Sequence, residues 1–181
     1  MNREDLVTYL NTENNIGIEL GVAEGEFSKK LLDTNKFKYL YSVDRYTGEG
    51  GVTDTTLNLA HDVNQYIRAL KTLKVHETKN SLLRMDFCEA LNLFEDCTFD
   101  FIYIDGYAHT GENEGKTLYD WYPKLKKGGM FAGDDYHNDW PKVVHHVDEF
   151  CKANFLTLHI HEYKNKNNVY SKYPSWYVLK K

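Results

Sequence analysis

The chain is poor in cysteine, in positive charge and in long apolar runs, and each shortage removes a class of protein. Its cysteines, Cys88, Cys97 and Cys151, are odd in number and form no C-x-x-C pair, so neither a disulfide framework nor a zinc knuckle is implied. A reducing, cytoplasmic compartment fits that usage. With 22 basic residues against 27 acidic ones the formal charge is −5, a field that does not draw nucleic-acid phosphates or an anionic membrane surface. No apolar run approaches the roughly 20 residues of a membrane span. The start, Met1-Asn2-Arg3-Glu4-Asp5, is charged and leads into no apolar segment, so no signal peptide is expected. What remains is a soluble domain covering residues 1–181, 41% hydrophobic and long enough to bury one core.

Apolar patterning alternates between short runs and helical stripes. Residues 3–11 carry Leu6, Val7 and Leu10 at helical spacing. Strands are expected at 16–20, 39–43, 81–85, 99–104 and 130–132, and the run at 99–104 is apolar nearly throughout, as a parallel strand buried on both faces requires. Helices are expected at 25–32, at 55–73 with a stripe of Leu59, Val63, Tyr66, Ile67 and Leu70, at 89–94, at 112–125 and at 141–153. The last of these opens on Pro141, which is tolerated in a first turn. Gly128-Gly129 reads as a helix stop. The glycine-rich stretch Thr47–Gly51 reads as a loop that could act as a flap, and the polar run Lys164–Asn168 as the turn of a terminal hairpin formed by 156–163 and 176–179. Strands alternating with helices give an α/β, doubly wound fold.

Five acids, Glu19, Asp44, Asp105, Asp134 and Asp135, fall at or just past the ends of expected strands. In an open parallel sheet those ends line the edge at which ligands bind. Their chemistry suits a hydroxylated or cationic ligand, with or without a divalent metal. The first turn reads Glu19-Leu20-Gly21-Val22-Ala23-Glu24-Gly25-Glu26-Phe27-Ser28. Gly21 and Gly25 let the backbone bend and a ligand approach it. The spacing is not G-x-G-x-x-G, which disfavours a nicotinamide dehydrogenase. It is E-x-G-x-x-x-G.

That motif resembles the first motif of class I S-adenosylmethionine-dependent methyltransferases, and the resemblance extends over 16–147. It implies a single Rossmann-like domain with a seven-stranded sheet in the order 3-2-1-4-5-7-6, the last strand antiparallel. It also implies that S-adenosylmethionine is held by Glu19, Gly21, Val22, Gly25 and Ser28, by Asp44 and Arg45, by Asp86 and Phe87, and by Asp105. Asp44 would take the ribose hydroxyls, since a carboxylate accepts two such bonds at once. Asp86-Phe87 would flank the adenine, and Glu19 and Gly21 the methionine moiety. The segments Phe101–Gly106, Tyr119–Leu125 and Gly128–Tyr136 further resemble the macrolide-sugar and catechol-type O-methyltransferases. Carried over, the ligands of Mg²⁺ or another divalent cation are Asp105, Asp134 and Asp135, a hard-oxygen set that suits Mg²⁺. A metal there would lower the pKa of an acceptor hydroxyl. The same Asp134-Asp135 pair also suits a turn cap.

The chain departs from both groups after Asp105. The lysine of the catechol-type enzymes falls on Ala108, and the D-G-x-H of the sugar-type enzymes is one residue longer here, Asp105-Gly106-Tyr107-Ala108-His109. His109 is the candidate base, with Asp105 beside it in the catalytic set and His137 as a rival base or fourth ligand. Tyr46 and Tyr136 are candidates for the cleft wall. The expected reaction is methyl transfer from S-adenosylmethionine to a hydroxyl oxygen of a small molecule or sugar, assisted by the divalent metal, in a pocket built by 45–60, 106–114 and 136–141. The alternatives are a metal-independent O- or N-methyltransferase using His109 and a non-catalytic S-adenosylmethionine-binding module.

Overall fold

The computed structural model describes residues 2–10, 13–48, 61–163 and 172–181. Seven strands, β1 (Asn15–Leu20), β2 (Phe37–Asp44), β3 (Asn80–Arg84), β4 (Phe99–Ile104), β5 (Leu125–Gly133), β6 (His159–His161) and β7 (Ser175–Leu179), form one sheet in the order β3-β2-β1-β4-β5-β7-β6. The first five run parallel, and β7 is antiparallel to both β5 and β6. This is the order and the antiparallel strand that the resemblance implies.

The buried β4 sequence Phe-Asp-Phe-Ile-Tyr-Ile builds a core on each face of the sheet. Phe101 and Tyr103 meet Phe27, Leu31 and Leu32 of α1 (Glu26–Asp33) and Leu6, Val7 and Leu10 of a 3-10 helix at Arg3–Tyr9 and its exit. Ile102 and Ile104 meet the opposite layer. That layer comprises α3 (Phe87–Ala90), α5 (Lys116–Trp121) and α6 (Pro141–Ala153). Successive side chains of a strand point to opposite faces, so one six-residue strand anchors both layers.

Three elements differ from the sequence expectation. The helix α2 (Val63–Leu73) buries Ala69 and Leu73, while Val63, Ile67 and Leu70 of the expected apolar stripe are 47%, 43% and 46% exposed. Its Asp62 N-cap accepts from Gln65 N–H at 2.9 Å, which starts the helix well after residue 55. The expected 112–125 helix is broken at Gly115. Before it lies α4 (Gly111–Glu114), in which Glu112, Asn113 and Glu114 all have φ near +55°. Left-handed backbone costs L-residues on the order of 1–2 kcal/mol each, so tertiary contacts must hold it. Gly111 sits so close to α6 that a Cβ there would lie 2.5 Å from the Lys142 carbonyl. Gly128-Gly129 ends no helix: both lie inside β5, where the pairing with β4 slips between Phe99 and Phe101 and Gly128 takes φ +80°, as at a β-bulge. Glu49–Gly51 of the expected flap, the 55–60 start of the expected helix with Leu59, and the Lys164–Asn168 turn lie outside the described residues. Among the described residues no helix is long and apolar enough to cross a membrane.

Candidate active site

The sheet places the predicted acids along one edge by continuing its own ladder past the strand ends. Gly21 N–H donates to the Val43 carbonyl at 2.9 Å, Asp105 N–H to Leu20 at 2.7 Å, and Asp134 N–H to Ile104 at 3.0 Å. Met85 N–H donates to the Asp44 carbonyl at 3.2 Å. Five neighbouring strand ends, β3-β2-β1-β4-β5, therefore lie in step, and the acids they carry share one rim.

The first turn closes around Asp44. Its Oδ2 accepts from Val22 N–H at 2.9 Å, from Ala23 N–H at 3.1 Å and from His61 Nδ1 at 2.7 Å. Burial would raise this carboxyl's pKa, but the bonds from His61 and the two amides outweigh it and hold it below the usual range. His61 responds in kind: burial alone would lower it, and Asp44 more than reverses that. The imidazole is set there by the bond from Gly48 N–H to the His61 carbonyl, 2.9 Å. All three of these contacts fall on Oδ2, so Oδ1 is the oxygen suited to a ligand hydroxyl. Gly21, at φ +97°, has no room for a side chain, because a Cβ would stand 1.8 Å from the Asp105 carbonyl oxygen. Gly25, at φ +81°, caps the start of α1.

Other predicted residues take structural posts. Glu19 is buried beneath the turn, bonded by Ser28, whose hydroxyl lies 2.8 Å from that of Ser42. Burial pushes the Glu19 carboxyl up to about 8. Tyr46, a cleft candidate, is buried instead and donates to the Ala23 carbonyl at 2.8 Å, bracing the turn from below. Asp86 opens α3, its N–H bonded to Glu89 at 3.1 Å, and its carboxylate lies 3.9 Å from Arg45. Phe87 packs edge-on to Tyr107 at 5.1 Å, and Gly106 exists to clear it, since a Cβ there would fall 2.4 Å from the Phe87 ring. Tyr136 donates to Asp148 at 2.7 Å.

The expected metal ligands are where the structure adds most. Asp105 and Asp134 do come together, but around the guanidinium of Arg3, which pairs closely with Asp105 and lies 3.2 Å from Asp134. Asp135 sits beside them in a left-handed turn at φ +60°. Burial, then the charges of Asp105 and Asp134, push its carboxyl well above the usual carboxylate range. The resemblance implies Mg²⁺ on these three residues, and the donor set does not fit that expectation. A permanent cation already spans two of the carboxylates. Among the described residues no group of three or more His, Cys, Asp or Glu side chains is arranged to hold a metal ion.

Glu112 was not anticipated. The left-handed turn of α4 buries its side chain, with Tyr107 N–H 3.4 Å from the carboxylate. Burial raises it to about 8, and the nearby Asp105 and Asp134 charges add to that. No periodicity signals such a residue, because left-handed backbone at a non-glycine position leaves no spacing pattern. Arg3 was equally hidden: the N-terminal stripe pointed to Leu6, Val7 and Leu10, and nothing local marks an arginine that reaches acids about a hundred residues away.

His109 lies in a 3-10 turn, Ala108–Thr110, just past the end of β4. Its ring meets Trp140 edge-on at 4.8 Å. The two line a cavity of about 410 Å³ together with Ala108, Asp139, Pro141, Lys142 and Tyr173. The rival His137 is engaged elsewhere, its Nδ1 accepting from Asp139 N–H at 3.1 Å.

The model of the family described as a methyltransferase domain matches residues 18–136, well over half of the chain. The chain belongs to that family. Its fold is shared with solved structures at low identity. A Streptococcus mutans protein solved in complex with S-adenosylhomocysteine is 16% identical, with a TM-score of 0.63 over 98% of this chain and 95% of that one. A Streptococcus thermophilus rRNA methylase is 11% identical, with a TM-score of 0.66 over 98% and 93%. A Staphylococcus aureus protein assigned to the caffeoyl-CoA O-methyltransferases is 14% identical, with a TM-score of 0.66 over 97% and 80%. No curated protein sequence matches the chain. The chain is thus a methyltransferase-domain protein by family with the fold these structures share, and those structures differ in the activities they are named for.

Proposed function

We propose that this methyltransferase transfers the methyl group of S-adenosylmethionine to a hydroxyl oxygen of a small molecule, with His109 as base and without a metal. The observation that carries this reading is the 410 Å³ cavity beyond the ends of β4 and β5. Its size is that of a small-ligand pocket. Its walls are aromatic, Trp140 and Tyr173 standing edge-on at 6.0 Å, and Lys142, Asp139 and His109 supply polar groups. The indole N–H of Trp140 is buried with no hydrogen-bond partner among the described residues. A donor in that state is suited to the oxygen of an acceptor. The chain's charge of −5 favours a small acceptor over a nucleic acid.

The cofactor supplies a methyl group already activated on a sulfonium. Gly21 gives it a close approach to the main chain, and Asp44, through Oδ1, is placed to accept from ribose hydroxyls. The pairing of Asp105 with Arg3 fixes the rim between the turn and the cavity. In the transfer step the acceptor oxygen forms its bond to the methyl carbon as the sulfur–carbon bond breaks. The hydroxyl proton passes to an unprotonated ring nitrogen of His109, an imidazole being a side chain suited to general-base work.

The test is release of S-adenosylhomocysteine across a panel of phenols, sugars and hydroxy acids, with chelator present. Replacing the base in His109→Ala should lower kcat by about 10²-fold and leave S-adenosylhomocysteine affinity unchanged. Trp140→Phe should raise the acceptor KM by about fivefold to tenfold, the worth of one hydrogen bond. Full activity in His109→Ala would overturn its assignment as base.

A further inference from the structure

We infer that Arg3 is a protein-borne cation standing between Asp105 and Asp134 where a divalent metal would otherwise be held, so that the N-terminal segment organises this rim. The inference rests on the methyltransferase reading for the meaning of the rim, and on the ion pairs alone for the identity of the cation.

The guanidinium uses its donors in three directions. One terminal nitrogen serves both Asp105 and Asp134, and Nε donates to the Tyr103 hydroxyl at 2.8 Å. Its flat faces are covered, with the Phe27 ring 4.1 Å from the guanidinium carbon and the Tyr103 ring at 4.8 Å. Arg3 is only 3% exposed. Asp134 is engaged from its other side as well, with the Tyr163 and Ser175 hydroxyls each 3.4 Å from its Oδ1. Tyr103 and Ser175 close the network at 2.5 Å. A metal on these carboxylates would need to displace the arginine. A displaced guanidinium would be left buried among aromatic rings with its charge unpaired, which is strongly unfavourable. Mg²⁺ also asks for near-octahedral oxygens and keeps several waters, whereas this space is filled by a planar, permanently charged fork.

The arginine is delivered by a well-anchored arm. Leu6, Val7 and Leu10 are buried in the core shared with α1 and β4. The Asn2 carbonyl accepts from His161 Nε2 at 2.9 Å, and Tyr9 stacks on Tyr177 at 5.2 Å. Arg3 is therefore a positioning residue: it fixes two carboxylates and touches no reacting atom.

The experiment measures bound Mn²⁺ by electron paramagnetic resonance, and S-adenosylhomocysteine affinity by calorimetry, in wild type, Arg3→Gln and Arg3→Lys. The wild type should bind no Mn²⁺, and its S-adenosylhomocysteine affinity should be the same in chelator as in Mg²⁺. Arg3→Gln should gain bound Mn²⁺ and lose it again when Asp134→Asn is added, while Arg3→Lys, which keeps the charge, should gain none. A merely structural arginine would produce no such gain. Wild-type Mn²⁺ binding that Asp134→Asn abolishes overturns the inference, and so does a folded Arg3→Gln that takes up no Mn²⁺. If circular dichroism shows Arg3→Gln unfolded, the wild-type titration decides alone. A metal-binding wild type that still binds S-adenosylhomocysteine would remove this inference and leave the methyltransferase reading standing. Loss of S-adenosylhomocysteine binding would strike that reading instead.

Discussion

Buried carboxyl groups govern how this protein responds to pH. Glu19 and Glu112 are both held up to about 8 by burial, so the folded chain keeps their protons across a range in which the unfolded chain releases them, from about 4.3 upward. The folded state then binds more protons than the unfolded one, and stability falls as pH rises through that window. His61, raised by Asp44 against its own burial, acts in the same direction, since its contribution is present at low pH and fades above its folded pKa. Thermal melts should accordingly show a lower Tm at pH 8 than near pH 5. Glu112→Gln should narrow that gap and be more stable than wild type at pH 8 by about 1–3 kcal/mol. A Tm that climbs between those two pH values would contradict the assignment. The residues behind this behaviour differ in how readable they are. Asp44 and Asp105 are legible because a strand end is a local event, followed by a residue of fixed direction. Glu112 and Arg3 owe their roles to a strained turn and to a contact between residues about a hundred positions apart, and neither leaves a mark in the local spacing.

At the scale of elements, strands were the most readable because period-two burial and apolar content coincide in them. β4 matched its expected bounds from Phe99 to Ile104. Helices were less so wherever an apolar stripe did not mean burial. The side chains of Val63, Ile67 and Leu70 follow helical spacing but face outward, and α2 is held through Ala69 and Leu73 against the layer that contains α1. Ile67→Gln should therefore change stability by no more than about 0.5 kcal/mol. Leu73→Ala should cost about 2–4 kcal/mol by opening a cavity. Chemical denaturation of the two variants separates these outcomes, and a large loss in Ile67→Gln would restore the stripe as a core face. The glycine pair Gly128-Gly129 misled for a related reason. A left-handed glycine ends a helix or makes a bulge in a strand with the same dihedral angle, and only the partner strand decides between them.

The whole molecule is a sheet that carries its chemistry on one edge and its stability on two faces. One core joins the N-terminal segment, α1 and β4, and the same packing that buries Leu6 and Val7 brings Arg3 to the acids of β4 and β5. The other core, built on α5 and α6, sets the position of Trp140 and His109 at the cavity. The Gly21–Gly25 turn proposed for the cofactor, the acidic rim and the cavity thus follow one another along the strand ends. The most direct test of this account is calorimetric titration of the wild type and of Asp44→Ala with S-adenosylhomocysteine. The account predicts one site at micromolar affinity in the wild type, weakened at least about tenfold, or 1.4 kcal/mol, in the variant, with the variant still folded. No binding to the wild type, or equal binding to both proteins, would contradict the placement of the cofactor at Gly21 and Asp44.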